Sequence, residues 1–150
     1  MKRIIIFCLS VFLLTPIAAF AGGLENFLRD VNIQASADLP GFSARISTQF
    51  GVPVPQVQAV IRSVREPADA FMIFQLGQMS GRKPETVMNV YTKKNKKGWG
   101  SIAKDLGIKP GSAEFHALKN GDLHFTGQPY ESNIPPGKSK GKGHGKGHNK

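Results

Sequence analysis

The residues with the plainest chemistry are lysines. Lys93, Lys94, Lys96 and Lys97 surround Asn95 and run into Gly98-Trp99-Gly100. Cations beside an aromatic ring suit a polyanion: nucleic acid, lipid headgroups or an acidic polysaccharide. The competing reading is a solvated helix end, where the helix dipole favours cations on the last turn. Trp99 is expected to plug the core rather than offer a stacking platform.

A second set of cations closes the chain. Lys138, Lys140, Lys142, Lys146 and Lys150 alternate mainly with glycine and include no acid among them. They add a salt-sensitive attraction to polyanions without reading any base sequence. His144 and His148 lie in the same run and can hold Zn, Cu or Ni weakly, since a flexible chain brings them together. His116 and His124 could join them. Two histidines without a fixed third ligand make no structural metal site.

Enzyme chemistry is not expected. The chain has no G-x-S-x-G, H-E-x-x-H, P-loop or Rossmann run. Its one cysteine, Cys8, lies in an N-terminal apolar stretch that processing removes. The processed chain therefore offers no thiol nucleophile, disulfide or thiolate metal site. Asp69 and Glu85 read as first-turn helix acids, and Glu114 and His116 point apart on one helix. No cofactor is expected.

The elements that carry these residues follow from composition. Residues 1–21 read as a Sec-type signal peptide: Lys2 and Arg3, an apolar run from Ile4 to Leu14, then Ala19-Phe20-Ala21 before a cut near Ala21-Gly22. Cys8 follows Phe7 inside the apolar run, which argues against a lipid anchor. The expected location is periplasmic or secreted, with no integral membrane insertion once the signal is removed.

The formal charge of +10 is unevenly spread. From Gly22 to Asn89, six basic side chains balance six acidic ones. Residues 138–150 have nothing to bury against the entropy of ordering and are expected to be disordered. Residues 126–137 (TGQPYESNIPPG) read as a turn-rich linker. That leaves one domain over residues 22–125.

Apolar residues at helical spacing predict an all-α fold, a small orthogonal bundle of short helices. Leu24, Phe27, Leu28 and Val31 mark the first helix. Phe42, Ile46, Gln49 and Phe50 mark a second, after an expected break at Pro40-Gly41. Val54 to Val64, Pro67 to Met79, Pro84 to Lys93, Ser101 to Leu106 and Ser112 to Leu118 complete the set. The segment 31–39 (VNIQASADL) is the one stretch that could be extended instead.

The segment GWGSIAKDLGIKPGSAEFHAL (98–118) has the cadence of a helix-turn-helix. Ala103 is small enough for a close crossing, Gly107 can end the first helix left-handed, Ile108 fills the corner and Ser112 caps the second helix. Ile46, Phe50, Gly51 and Val52 repeat the cadence 56 residues earlier, and Met79-Ser80-Gly81 is a looser third copy. The turn is expected to pack two helices rather than to read DNA. Of the exposed faces, that of Gln56, Gln58 and Arg62 is the better suited to phosphate, though modestly.

The runs KGWGSIAKDLGIKPGSAEFHALKNG (97–121), PADAFMIFQLGQMSG (67–81) and FGVPVPQV (50–57) resemble a family of small uncharacterised exported proteins of Gram-negative bacteria. The resemblance spans residues 24–122 and is most specific in W-G-x-I-A-x-x-L-G-I-x-P-G-S. It implies one exported domain with a Gly/Lys/His-rich end and assigns no catalytic residue. The function expected is that of a non-enzymatic interaction protein of the cell envelope. Its partner is a protein or an acidic envelope component, with nucleic acid as an alternative.

Overall fold

The run from Ala70 to Gly77, in the helix from Pro67 to Ser80, cannot sit at a surface. Ala68 and the run from Ala70 to Gly77 are all buried, so the middle of this helix has no solvent face. A helix apolar on every side must be wrapped by others. The computed structural model, which describes residues 22–93 and 97–129, does this with helices alone. Among the described residues the elements are α1 (Gly22–Ala37), α2 (Leu39–Phe50), α3 (Val54–Ser63), α4 (Pro67–Ser80), α5 (Pro84–Lys93), α6 (Trp99–Asp105) and α7 (Ala113–Asn120). Helix α4 is the axis, and α1, α2, α3 and α5 all pack on it. The α6–α7 hairpin is joined to α5 and α1.

The starts and stops of these helices have local causes. Pro40, Pro55, Pro67 and Pro84 each sit in a first turn, where the absent N–H costs nothing. Helices α2, α4, α6 and α7 all end on a glycine with positive φ: Gly51, Gly81, Gly107 and Gly121. In each case the next residue donates its N–H back to the last turn. Val52 reaches Ser47 O (3.1 Å), Arg82 reaches Gly77 O (2.9 Å), Ile108 reaches Ala103 O (3.0 Å) and Asp122 reaches Ala117 O (2.9 Å). This is one Schellman stop used four times. The cadence read twice, with a looser third copy, therefore has a fourth copy at the end of α7.

Two expectations for the first third are corrected. The segment 31–39 is not extended: α1 continues through Ala37, because Val31 and Ala35, one turn apart, both face the core. Pro40-Gly41 is not a break but the first turn of α2. Asp38 caps that turn, its carboxylate accepting from the Gly41 N–H at 2.9 Å. The sixth helix also starts earlier than expected, at Trp99.

An aromatic cluster joins the layers. The Phe71 ring of α4 meets Phe27 of α1 (5.4 Å between centroids), Phe50 of α2 (5.7 Å) and Phe125 (5.6 Å). Phe125 belongs to a segment that follows α7 and lies back across α2. The buried Gln49 amide holds it there with both ends. Its Nε2 donates to His124 O (2.7 Å), and its Oε1 accepts from the N–H groups of Thr126 (3.1 Å) and Gly127 (3.2 Å). Arg45 donates to Phe125 O (3.1 Å) and lies 4.1 Å over the Phe125 ring. Residues 126 and 127, read as the start of a linker, are thus bonded to the bundle. The rest of that linker from Tyr130 onward, the 138–150 tail and the signal segment lie outside the described residues.

Gly51 and Gly121 test what holds the ends together. At Gly51 (φ +65°) a Cβ would meet nothing within 4 Å. At Gly121 (φ +73°) it would lie 2.4 Å from Gly23 O, at the start of α1. Gly51→Ala is expected to cost about 1–2 kcal/mol, the left-handed penalty alone. Gly121→Ala is expected to cost clearly more, about 3 kcal/mol or above, by adding a backbone clash. Denaturant midpoints of the two variants check this, and equal losses would refute a tight contact between α1 and α7.

Candidate functional site

Lys93 ends α5 and Lys97 lies just before α6. Both side chains are exposed. Lys94, Asn95 and Lys96 lie outside the described residues, as do Lys138, Lys140, Lys142, Lys146, Lys150 and the histidines at 144 and 148. The described part of the lysine cluster therefore marks one corner of the bundle, between α5 and α6.

Trp99 is built into that corner. It is half-buried and packs against the core, and its ring stacks on Tyr91 of α5 at 5.3 Å with planes 19° apart. The Tyr91 hydroxyl donates to Asp69 Oδ2 at 2.8 Å. The same oxygen accepts the Glu66 N–H (3.3 Å) at the start of α4. A polar chain thus runs from the first turn of the central helix to the Trp99 ring. Asp69 is a first-turn acid, as its position suggested, and it also fixes the aromatic pair. Burial is the largest cause raising the Tyr91 pKa above its ordinary value, and the Asp69 hydrogen bond and charge push the same way.

Trp99 also lines a cleft of about 410 Å³. Leu24 and Leu28 of α1 form one wall, and Phe115 and Leu118 of α7 form the other. Glu25 and Lys119 stand at its edge. Sequence reasoning assigned Leu24, Leu28 and Phe115 to apolar helix faces and missed the cleft. They are half-buried residues at the border of the core. Their spacing carries no sign of this, because a core stripe and a groove wall repeat alike.

The helix-turn-helix faces are only partly engaged by neighbours, and Gln58 and Arg62 on α3 are exposed. Gln56 Nε2 on α3 donates to Glu85 Oε1 on α5 at 3.0 Å, so this face turns partly toward a neighbour. On α7 the Ser112 hydroxyl accepts the Phe115 N–H at 3.2 Å, the cap that the cadence calls for. The Glu114 N–H, and after it the Ser112 hydroxyl, hold the Glu114 carboxyl below its ordinary pKa. An anion at that helix start repels phosphate. His116 and His124 are exposed. Among the described residues, no three His, Cys, Asp or Glu side chains gather as metal ligands. Nor, among them, is any helix long and apolar enough to cross a membrane.

Comparison of the chain with protein-family models, curated proteins and solved structures found no match in any of the three.

The Tyr91–Asp69 bond predicts an alkaline signature. Because the Tyr91 pKa is raised on folding, the unfolded chain loses this proton first, near the ordinary value of 10.0. The contribution of Tyr91 to stability is therefore complete below that pH and declines as pH rises through the folded value. Tyr91→Phe should flatten this alkaline decline in denaturant midpoints. At neutral pH it should cost about 1 kcal/mol, the worth of one hydrogen bond. An alkaline profile parallel to that of the unaltered chain would contradict the assignment.

Proposed function

We propose that this is an exported, non-enzymatic interaction protein of the Gram-negative cell envelope. It meets an acidic component of that compartment through its basic segments. The observation that carries the reading is the placement of charge. The front half of the domain is charge-balanced, while exposed Lys93 and Lys97 stand at one corner of the helical bundle beside a half-buried tryptophan. The lysine-rich tail adds further cations on the same chain. The signal pattern and the family resemblance support export. Glu114 in the first turn of α7 repels phosphate at the second helix of the hairpin, which favours an acidic envelope polymer over a base-reading role.

Affinity for heparin and duplex DNA at two salt concentrations tests this. The full chain, a form lacking residues 138–150, and Lys93→Gln/Lys94→Gln/Lys96→Gln/Lys97→Gln are to be compared. Binding to both polyanions should weaken with salt. Each lysine that contacts a phosphate should contribute about one unit to the log–log salt slope on DNA. Both alterations should lower that slope and weaken heparin binding. A full chain that binds neither polymer at low salt would refute the reading.

A further inference from the structure

The aromatic contacts around Phe71 join phenylalanines, which hold their electrons tightly. The Tyr91–Trp99 stack is different. Indole and phenol are the side-chain rings that lose an electron most readily. Here they lie nearly parallel, 5.3 Å apart with planes at 19°. Trp99 is the one tryptophan in the chain, and Tyr91 is one of two tyrosines. Trp99 is half-buried, whereas Tyr91 is only 9% exposed. An oxidant diffusing in solution therefore meets the indole first.

The phenol has a base in place. Its hydroxyl donates to Asp69 Oδ2 at 2.8 Å, within the reach of about 2.6–3.2 Å that proton transfer needs. The same oxygen accepts the Glu66 N–H at 3.3 Å, which fixes the carboxylate at the start of α4. Burial raises the Tyr91 pKa, so the phenol keeps its proton at neutral pH. An electron then leaves it readily only if that proton leaves too. Burial also keeps the proton from bulk water, and the Asp69 carboxylate stands ready to accept it. A stack that served only to close the hairpin onto α5 would need no carboxylate, since any acceptor satisfies a phenol.

We propose that Trp99, Tyr91 and Asp69 form a relay that carries an oxidising equivalent inward from the surface. A free-radical oxidant, such as a peroxyl radical, takes one electron from the Trp99 indole. Tyr91 returns an electron to the indole as its phenolic O–H bond breaks, and the proton passes to Asp69 Oδ2. Trp99 is restored, Asp69 is a carboxylic acid and Tyr91 is a neutral phenoxyl radical. A one-electron reductant of the ascorbate class then reduces the phenoxyl from solution, and the proton returns from Asp69. The side chains end as they began, and one electron has passed from reductant to oxidant. This activity is independent of the polyanion contact.

The probe is the azide radical made by pulse radiolysis, which oxidises indole in preference to phenol at neutral pH. It is applied to the full-length processed protein carrying Tyr130→Phe, so that Tyr91 is the one tyrosine left. The tryptophanyl absorption should decay as the tyrosyl absorption grows, at one first-order rate independent of protein concentration. Tyr91→Phe keeps a ring against Trp99 and should leave a tryptophanyl radical that lives at least tenfold longer. Asp69→Asn keeps an oxygen for both hydrogen bonds but is no base, and it should slow the transfer at least tenfold. Far-UV circular dichroism and Trp99 emission check the fold of each variant. Heavy water, which needs no substitution at Asp69, should slow the transfer at least twofold.

An unchanged rate in a folded Asp69→Asn protein would overturn the proposal and leave Asp69 a structural partner alone. If that variant does not fold, heavy water decides, and an unchanged rate there would overturn it equally. A tyrosyl signal whose rate rises with protein concentration would overturn it in favour of encounters between molecules. A tryptophanyl radical that decays without a tyrosyl signal, or as fast in Tyr91→Phe, would overturn it and leave the stack a packing contact.

Discussion

Everything in this fold answers to the burial of α4. Its run from Ala70 to Gly77 has no exposed member, so no single partner helix can cover it. Four helices surround it, and each needs an apolar stripe and a tight turn to its neighbour. Phe71 shows the scale involved. It is fully buried and touches rings from α1, α2 and the segment after α7. Truncating such a ring typically costs about 3–5 kcal/mol, a large share of the 5–15 kcal/mol that holds an ordinary domain together. The Gln49 and Arg45 bonds to residues 124–127 serve the same end, because they press Phe125 onto the exposed edge of that cluster.

The α6–α7 hairpin stands further from the axis. It joins the body through α5 and α1, with the Tyr91–Trp99 stack on one side and the Gly23–Gly121 backbone contact on the other. The cleft opens between these two contacts, where the start of α6 and the end of α7 face α1. Its position is a consequence of how the fold is closed: the central helix is satisfied first, and the last hairpin seals the rim incompletely.

What the sequence disclosed was local, and what it withheld was distant. The prolines at 67 and 84 and the glycines at 51, 81 and 107 mark helix ends through the conformations they permit, so the helix order could be read directly. Asp38 was harder. One capping carboxylate turns an apparent break at Pro40-Gly41 into the first turn of a helix, and Gly41 makes room for it. Gln49 was harder still, since its partners lie 75 to 78 residues away and nothing nearby in the chain reveals them. The same holds for the candidate site. The lysines and Trp99 were visible as a cluster, but their neighbours Leu24 and Leu28 come from the other end of the domain. A pattern within one helix cannot say which helix will lie opposite.

The helix dipoles separate the lysines that the fold explains from those it does not. Acids occupy the first turns of α1, α4, α5 and α7, at Glu25, Asp69, Glu85 and Glu114. Each is favoured by the positive end of its helix. Lys93 sits in the last turn of α5, where a cation is favoured for the same reason. Lys97 does not follow this rule. It precedes α6, a helix with no acid in its first turn, and so faces the end where a cation is disfavoured by a few tenths of a kcal/mol. Packing gives nothing back, because the side chain is exposed. A charge that the helix dipole does not favour and packing does not hold is left to the solvent at the edge of the bundle.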